Sequence, residues 1–135
     1  MKIFVNLPVK DLKKSNAFFS GLGFSFNPQF SGDHATCIPI NDEAWVMLLL
    51  ENYFKTFTPK NISDAHHSTE VLIAMSQDSR EEVDKMIEKA ISLGGNEARP
   101  VQDLGFMYSR AFNDPDDHIW EVAWMDSAAL NSQQT

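Results

Sequence analysis

Glu121 is the residue of this sequence best placed to do chemistry. It stands in mid-strand within Asp114-Pro115-Asp116-Asp117-His118-Ile119-Trp120-Glu121-Val122-Ala123-Trp124. The stretch opens as a tight turn, because Pro115 presets φ and the aspartates can bond nearby backbone amides. It continues with a period of two. Ile119, Glu121 and Ala123 then point one way, and Trp120, Val122 and Trp124 the other. Glu is depleted in strands and costly to bury unpaired, so Glu121 is either a surface residue or a site residue. If residues 114–117 close a plain hairpin, Asn113 faces His118, and pairing runs Phe112 to Ile119, Arg110 to Glu121 and Tyr108 to Ala123. Two readings of that pairing stand. In one, Arg110, Glu121 and the Tyr108 hydroxyl orient a small ligand. In the other, the two charges are a stabilising cross-strand pair. A bulge of one residue would turn Arg110 outward and undo both. Glu121 as a lone general base is disfavoured, since an arginine beside it lowers its pKa whereas a base working near neutrality needs a raised one.

The elements that must position these residues fall into two similar halves. In the first, residues 2–9 read as a strand and Asp11 as the cap of a helix over 12–20, which Gly21 and Gly23 end. Phe24-Ser25-Phe26 reads as a short strand, and 35–40 and 44–50 as a hairpin around Asn41-Asp42-Glu43. In the second, Val71 to Ser76 is a strand and Asp78-Ser79-Arg80-Glu81 a capping box. Val83, Met86, Ile87, Ala90 and Ile91 form the apolar stripe of the helix that follows, which Leu93-Gly94-Gly95 stops. Strands at Asn96 to Arg99 and Phe106 to Phe112 lead into the Asp114 turn and the closing strand. Strand, Asp cap, helix, Leu-Gly and further strands thus occur twice, with module one at 2–50 and module two at 70–126 of a single domain, 1–126. Between them, 51–69 is a connector containing Tyr53, Phe54, Phe57 and the pair His66-His67. Its aromatics are expected to pack over an opening or against a partner subunit, with an outer-surface loop as the alternative. Residues 127–135 read as a flexible tail.

Composition excludes several function classes. The 135 residues are 43% hydrophobic and carry a formal charge of −8, which disfavours phosphate backbones and anionic membranes. No nucleic-acid or membrane partner is therefore expected. The single cysteine, Cys37, allows neither an internal disulfide nor a thiolate cluster and suits a reducing cytoplasm. No apolar run reaches the length of a membrane span. Four histidines without i,i+4 spacing make no zinc signature.

The turn and closing strand resemble the DPxGxxxE signature of the vicinal oxygen chelate superfamily, which contains glyoxalases, fosfomycin and bleomycin resistance proteins and extradiol dioxygenases. Here Asp117 stands at the turn glycine. The resemblance implies an α+β fold of two βαβββ modules whose mixed sheets form a cup. The competing ferredoxin-like scheme leaves two of the strands unexplained. In metal-using relatives each half places one ligand early in its first strand and another on its last. Those positions fall here at Phe4 and Val71, or Val5 and Leu72, then near Met47 and at Glu121. One carboxylate among apolar residues falls short of the roughly three donors of a divalent site, so no metal and no cofactor are expected. The cup would hold a small organic molecule, with Asn6, Met47, Ile73, Tyr108, Arg110 and Glu121 as ligand-binding residues and Phe4, Leu49 and Met75 beside them. The function implied is metal-free binding of the bleomycin resistance type. Its alternative is a metal-dependent lyase, isomerase or thiol transferase of the glyoxalase type using Glu121. The resemblance also implies a homodimer.

Overall fold

The computed structural model describes residues 1–128. Its chain divides into two compact units, Met1–Asp64 and the residues from Ala65 onward. Of the tail expected at 127–135, residues 129–135 lie outside the described residues.

The first unit runs β1 (Ile3–Val9), α1 (Leu12–Gly21), β2 (Ala35–Pro39), β3 (Ala44–Leu50) and α2 (Glu51–Phe54), with 3-10 turns at Pro28–Phe30 and Lys55–Phe57. Its sheet has the order β1-β3-β2. β3 lies parallel to β1, and the tight turn at Asn41 makes β2 and β3 antiparallel. Asn41 holds that turn by accepting the Glu43 backbone N–H at 2.8 Å. Leu7, Val9, Val46, Leu48 and Ile38 are buried on the face covered by α1, whose Phe18 and Phe19 are buried too. The Thr36 hydroxyl on that face donates to Asn16 Oδ1 of α1 at 2.6 Å.

Phe24–Phe26 does not form the expected strand. Its amide bonds are used by the helix end, where Phe24 N–H donates to the Phe19 carbonyl, and by Asn27 N–H donating to the Cys37 carbonyl. The start of the connector is helical: Glu51–Phe54 and Lys55–Phe57 continue directly from β3, and Tyr53 meets Phe57 edge-on at 5.1 Å.

In the second unit β4 (Leu72–Ser76), α3 (Arg80–Ser92), β5 (Asn96–Glu97), β6 (Gln102–Asp103), β7 (Met107–Asn113) and β8 (Ile119–Met125) follow in sequence. The sheet order is β4-β8-β7-β5, with β6 also paired to β7. The last strand, β8, lies parallel to β4, and the hairpin pair β7–β8 is antiparallel. Val83, Ile87 and Ala90 of α3 are buried with Phe112, Trp120 and Val122, and the Phe112 and Trp120 rings stack at 6.2 Å. The capping box sits one residue later than expected. Ser79 is the cap, its Oγ accepting from Glu82 N–H at 3.1 Å.

α1 and α3 end alike. Gly23 and Gly94 take φ of 102° and 98°. The residue after each returns an N–H to the last turn, Phe24 to the Phe19 carbonyl and Gly95 to the Ala90 carbonyl. This is the left-handed helix stop that the repeated Leu-Gly encoded. Gly94→Ala is expected to cost about 1 kcal/mol, read from the denaturation midpoint, because a Cβ is strained at positive φ. Gly32→Ala, where φ is not positive and an added Cβ meets nothing within 4 Å, is expected to leave the midpoint unchanged.

Candidate functional site

The site begins with the turn that precedes β8. Asp114 N–H donates to the His118 carbonyl and Asp117 N–H to the Asp114 carbonyl. Asp117 itself lies at φ 65°. This is a three-residue hairpin loop closed by a left-handed residue, the position where the signature carries glycine. The Asp114 side chain fastens it from inside. One oxygen accepts from the backbone N–H of Asp116 and His118 at 2.9 and 3.0 Å, and the other from Trp120 Nε1 at 3.0 Å. Asp114 is 3% exposed. Burial pushes its carboxyl up to about 6, against the lowering effect of His118 and of these hydrogen bonds. The His66 imidazole of the segment preceding β4 hydrogen-bonds Asp117, tying the two together.

Because the loop closes between Asp114 and His118, Asn113 pairs with Ile119, Phe112 with Trp120, and Arg110 with Val122. The expected Arg110–Glu121 pairing is therefore one residue out of register. Residues directly opposite share a face, so Arg110 lies on the face of Trp120 and Val122 and points under α3. There its Nε donates to Glu97 at 2.8 Å, Nη1 to Asp84 at 2.9 Å and Nη2 to Glu88 at 3.1 Å. Tyr108 shares this face, and its hydroxyl donates to Asp84 Oδ1 at 2.6 Å. That bond, ahead of burial, holds the Tyr108 hydroxyl above its ordinary pKa, while the same bond and Arg110 hold Asp84 below its own. Ile73, opposite Trp120, is on the covered face as well.

Glu121 is on the other face, with Ala74 and Ala111 as its cross-strand neighbours. It does have an arginine, but that arginine is Arg99. Arg99 Nη2 donates to Glu121 Oε2 and to Ser109 Oγ, both at 2.8 Å. The side chains of Arg99 and Glu121 are 23% and 25% exposed, so the pair is largely covered but still reached by solvent. Neither Arg99 nor Ser109 was selected by sequence. Alternation alone would not find Arg99, since the β5 ladder ends at Glu97 and the chain bends at Arg99. The one available signal was Pro100, which marks the end of a strand.

Asn6 and Met47 belong to the first unit and are register partners on β1 and β3. They lie on the face opposite the one packed by α1, and that face also carries the buried Leu49. Cys37 stands opposite Met47, is buried, and has its thiol pKa raised by that burial. Phe4 lies on this face too, its ring stacked on Trp45. Of the six residues chosen from the sequence, Asn6 and Met47 share the first sheet's face opposite α1, Glu121 lies on the second sheet's face opposite α3, and Ile73, Tyr108 and Arg110 lie under α3.

The donors do not fit a divalent metal held as the resemblance implies. Leu72, Ala74 and Ser76 are what β4 offers on the face of Glu121, none of them a carboxylate or imidazole, and the Glu121 carboxylate is already bonded by a guanidinium. Among the described residues no three His, Cys, Asp or Glu side chains stand together as a ligand set. No helix of the described residues is long and apolar enough to cross a membrane.

Comparison with known proteins agrees with this architecture. Residues 3–41 match the family model for the bleomycin resistance protein-like N-terminal region. No curated protein matches the chain. Among solved structures it is similar to a hypothetical protein of S. aureus, with 28% identity, 92% of this chain and 93% of that one covered, and a TM-score of 0.78. It is also similar to a glyoxalase-related enzyme of Fulvimarina pelagi, with 21% identity, 92% and 87% coverage and a TM-score of 0.77. A fosfomycin resistance protein, FosX, of Listeria monocytogenes gives 24% identity, 92% of each chain and a TM-score of 0.67.

Proposed function

We propose, from the premise that this chain is by fold and by its residues 3–41 a vicinal oxygen chelate protein, that it binds a small organic molecule without a metal. The observation that carries the reading is the Arg99–Glu121 pair. Where the superfamily's signature strand offers a carboxylate, this chain meets it with a guanidinium, so the positive partner of Glu121 is a side chain. Alanines flank Glu121 in the ladder and leave room beside it. Ser109 Oγ accepts from Arg99, which turns its own hydroxyl hydrogen toward another acceptor. Arg99, Ser109 and Glu121 together supply donors and an acceptor for a polar group on the second unit; Asn6 and Met47 are proposed for ligand contact on the first unit's own sheet. Tyr108 and Arg110 have their hydrogen bonds spent on Asp84, Glu88 and Glu97 and do not belong to the site.

The opposing reading is a metal-dependent enzyme of the glyoxalase type using Glu121. It draws on the fosfomycin resistance and glyoxalase-related proteins among the similar structures. Elemental mass spectrometry on protein purified without chelator or affinity tag, with melting temperature followed on adding manganese, nickel or zinc, separates the two. The expected result is substoichiometric metal and no shift. Near-stoichiometric metal, lost together with the thermal shift in Glu121→Gln, would overturn the metal-free reading. We further propose a cytoplasmic homodimer, which follows from the single buried cysteine and from the superfamily's habit of pairing subunits. Sedimentation equilibrium returning the monomer mass at micromolar concentration would refute the dimer.

A further inference from the structure

The face of the first unit's sheet opposite α1 carries an exposed aromatic pair at its Ile3 end. Phe4 and Trp45 are register partners, and their rings stack at 4.9 Å between centroids with 13° between planes. Phe4 nevertheless remains 54% exposed. Trp45 covers one side of the benzyl ring, and that much exposure leaves the opposite side open. A stacked pair presenting a bare π face is suited to extending the stack with another flat ring, because offset stacking gains beyond simple area burial. A positive charge is held at the same place. Lys2 is two residues before Phe4, and its Nζ lies 5.3 Å from the centre of the Trp45 ring. Asn6, two residues after Phe4 and therefore on the same face, adds an amide donor and acceptor. The charge around the pair is permissive. Lysines and acidic residues are equal in number over 1–64, so the whole −8 of the chain comes from the residues after them.

We infer that this face takes a planar aromatic carboxylate, its ring laid on Phe4 and its charge set against Lys2. The assignment rests on the reading above that the protein binds a small organic molecule, and it names the chemical class. An aliphatic ring of the same outline has no π face to offer, and an aromatic cation would meet Lys2 with like charge.

Calorimetric titration of the full chain with 2-naphthoate, decahydro-2-naphthoate and 2-naphthylmethylammonium tests it. Naphthoate is expected to bind about tenfold more tightly than either of the others. Phe4→Leu and Lys2→Gln are each expected to weaken naphthoate several-fold; both positions are solvent-exposed, so the variants fold. Equal binding of the saturated acid would overturn the stacking assignment while leaving small-molecule binding in place. Tighter binding of the ammonium would overturn the carboxylate. If none of the three binds, the inference fails. The broader reading fails separately, only if a screen of non-aromatic compounds also leaves the melting temperature unmoved.

Discussion

Replacing Asp114 with alanine is expected to lower the unfolding free energy by about 3–4 kcal/mol, the largest effect of any single change outside the apolar core. The carboxylate serves the backbone N–H groups of Asp116 and His118 and the indole of Trp120, all from a 3% exposed position. Alanine removes the acceptor these three donors share, including that of the fully buried indole of Trp120. Urea denaturation followed by tryptophan fluorescence measures the loss; a change below about 1 kcal/mol would mean that the turn holds itself. Asp114→Asn is milder, at about 1–2 kcal/mol, since its amide oxygen still accepts from one side while its NH2 is set against the other donors. The pH dependence has a definite sign. Burial raises the folded carboxyl to about 6 from an ordinary 3.8. A raised acid binds more protons folded than unfolded. Its stabilising contribution is therefore complete below pH 3.8 and is lost as pH rises through about 6. Asp114→Asn is expected to flatten the stability profile across that window, and an unchanged profile would assign the titration to another group.

Arg110→Ala is expected to cost about 2–3 kcal/mol at neutral pH. Its guanidinium is the common partner of Asp84, Glu88 and Glu97, with its own side chain 10% exposed and theirs 46%, 66% and 33%. Solvent on the carboxylates keeps the penalty below that of a fully buried pair. Loss of the long apolar stem against the sheet adds to it. The penalty should shrink in acid. Asp84 is held below its ordinary pKa by the Tyr108 hydroxyl and by Arg110, so the contribution of these contacts is present above 3.8 and lost as pH falls through the folded value. Wild-type and Arg110→Ala melting temperatures are therefore expected to converge only as pH falls below 3.8 and through the lowered folded value of Asp84. A gap that stays constant from neutral to acid pH would mean that the stem's packing, and not the charge, is what Arg110 supplies.

The local chain signals were legible because they depend on neighbours alone. Asp11 as a cap, Leu-Gly as a left-handed helix stop, the apolar stripe of α3 and the period of two in β8 are set by propensity, capping and side-chain geometry within a few residues. They determined the repeat and, through it, the fold, while the helical turn at Glu51–Phe54 and the absence of a strand at Phe24–Phe26 came from the structure. They also settled that Glu121 and the two tryptophans of β8 point to opposite faces.

The partners of Glu121 were decided elsewhere. An Asp-rich turn is compatible with more than one loop length. The loop that forms closes Asp114 against His118 because the buried Asp114 side chain finds three donors there, one of them the indole of Trp120. Since side chains alternate along a strand, that single residue of register moves Arg110 from the face of Glu121 to the face under α3. Arg99 reaches Glu121 only because a two-residue ladder ends and the chain bends, a geometry with no period to read. The sequence by itself determined which residues face which way along each strand. Only the tertiary structure decided which strand residue stands opposite which, because register is fixed by the turn's hydrogen bonds and not by alternation.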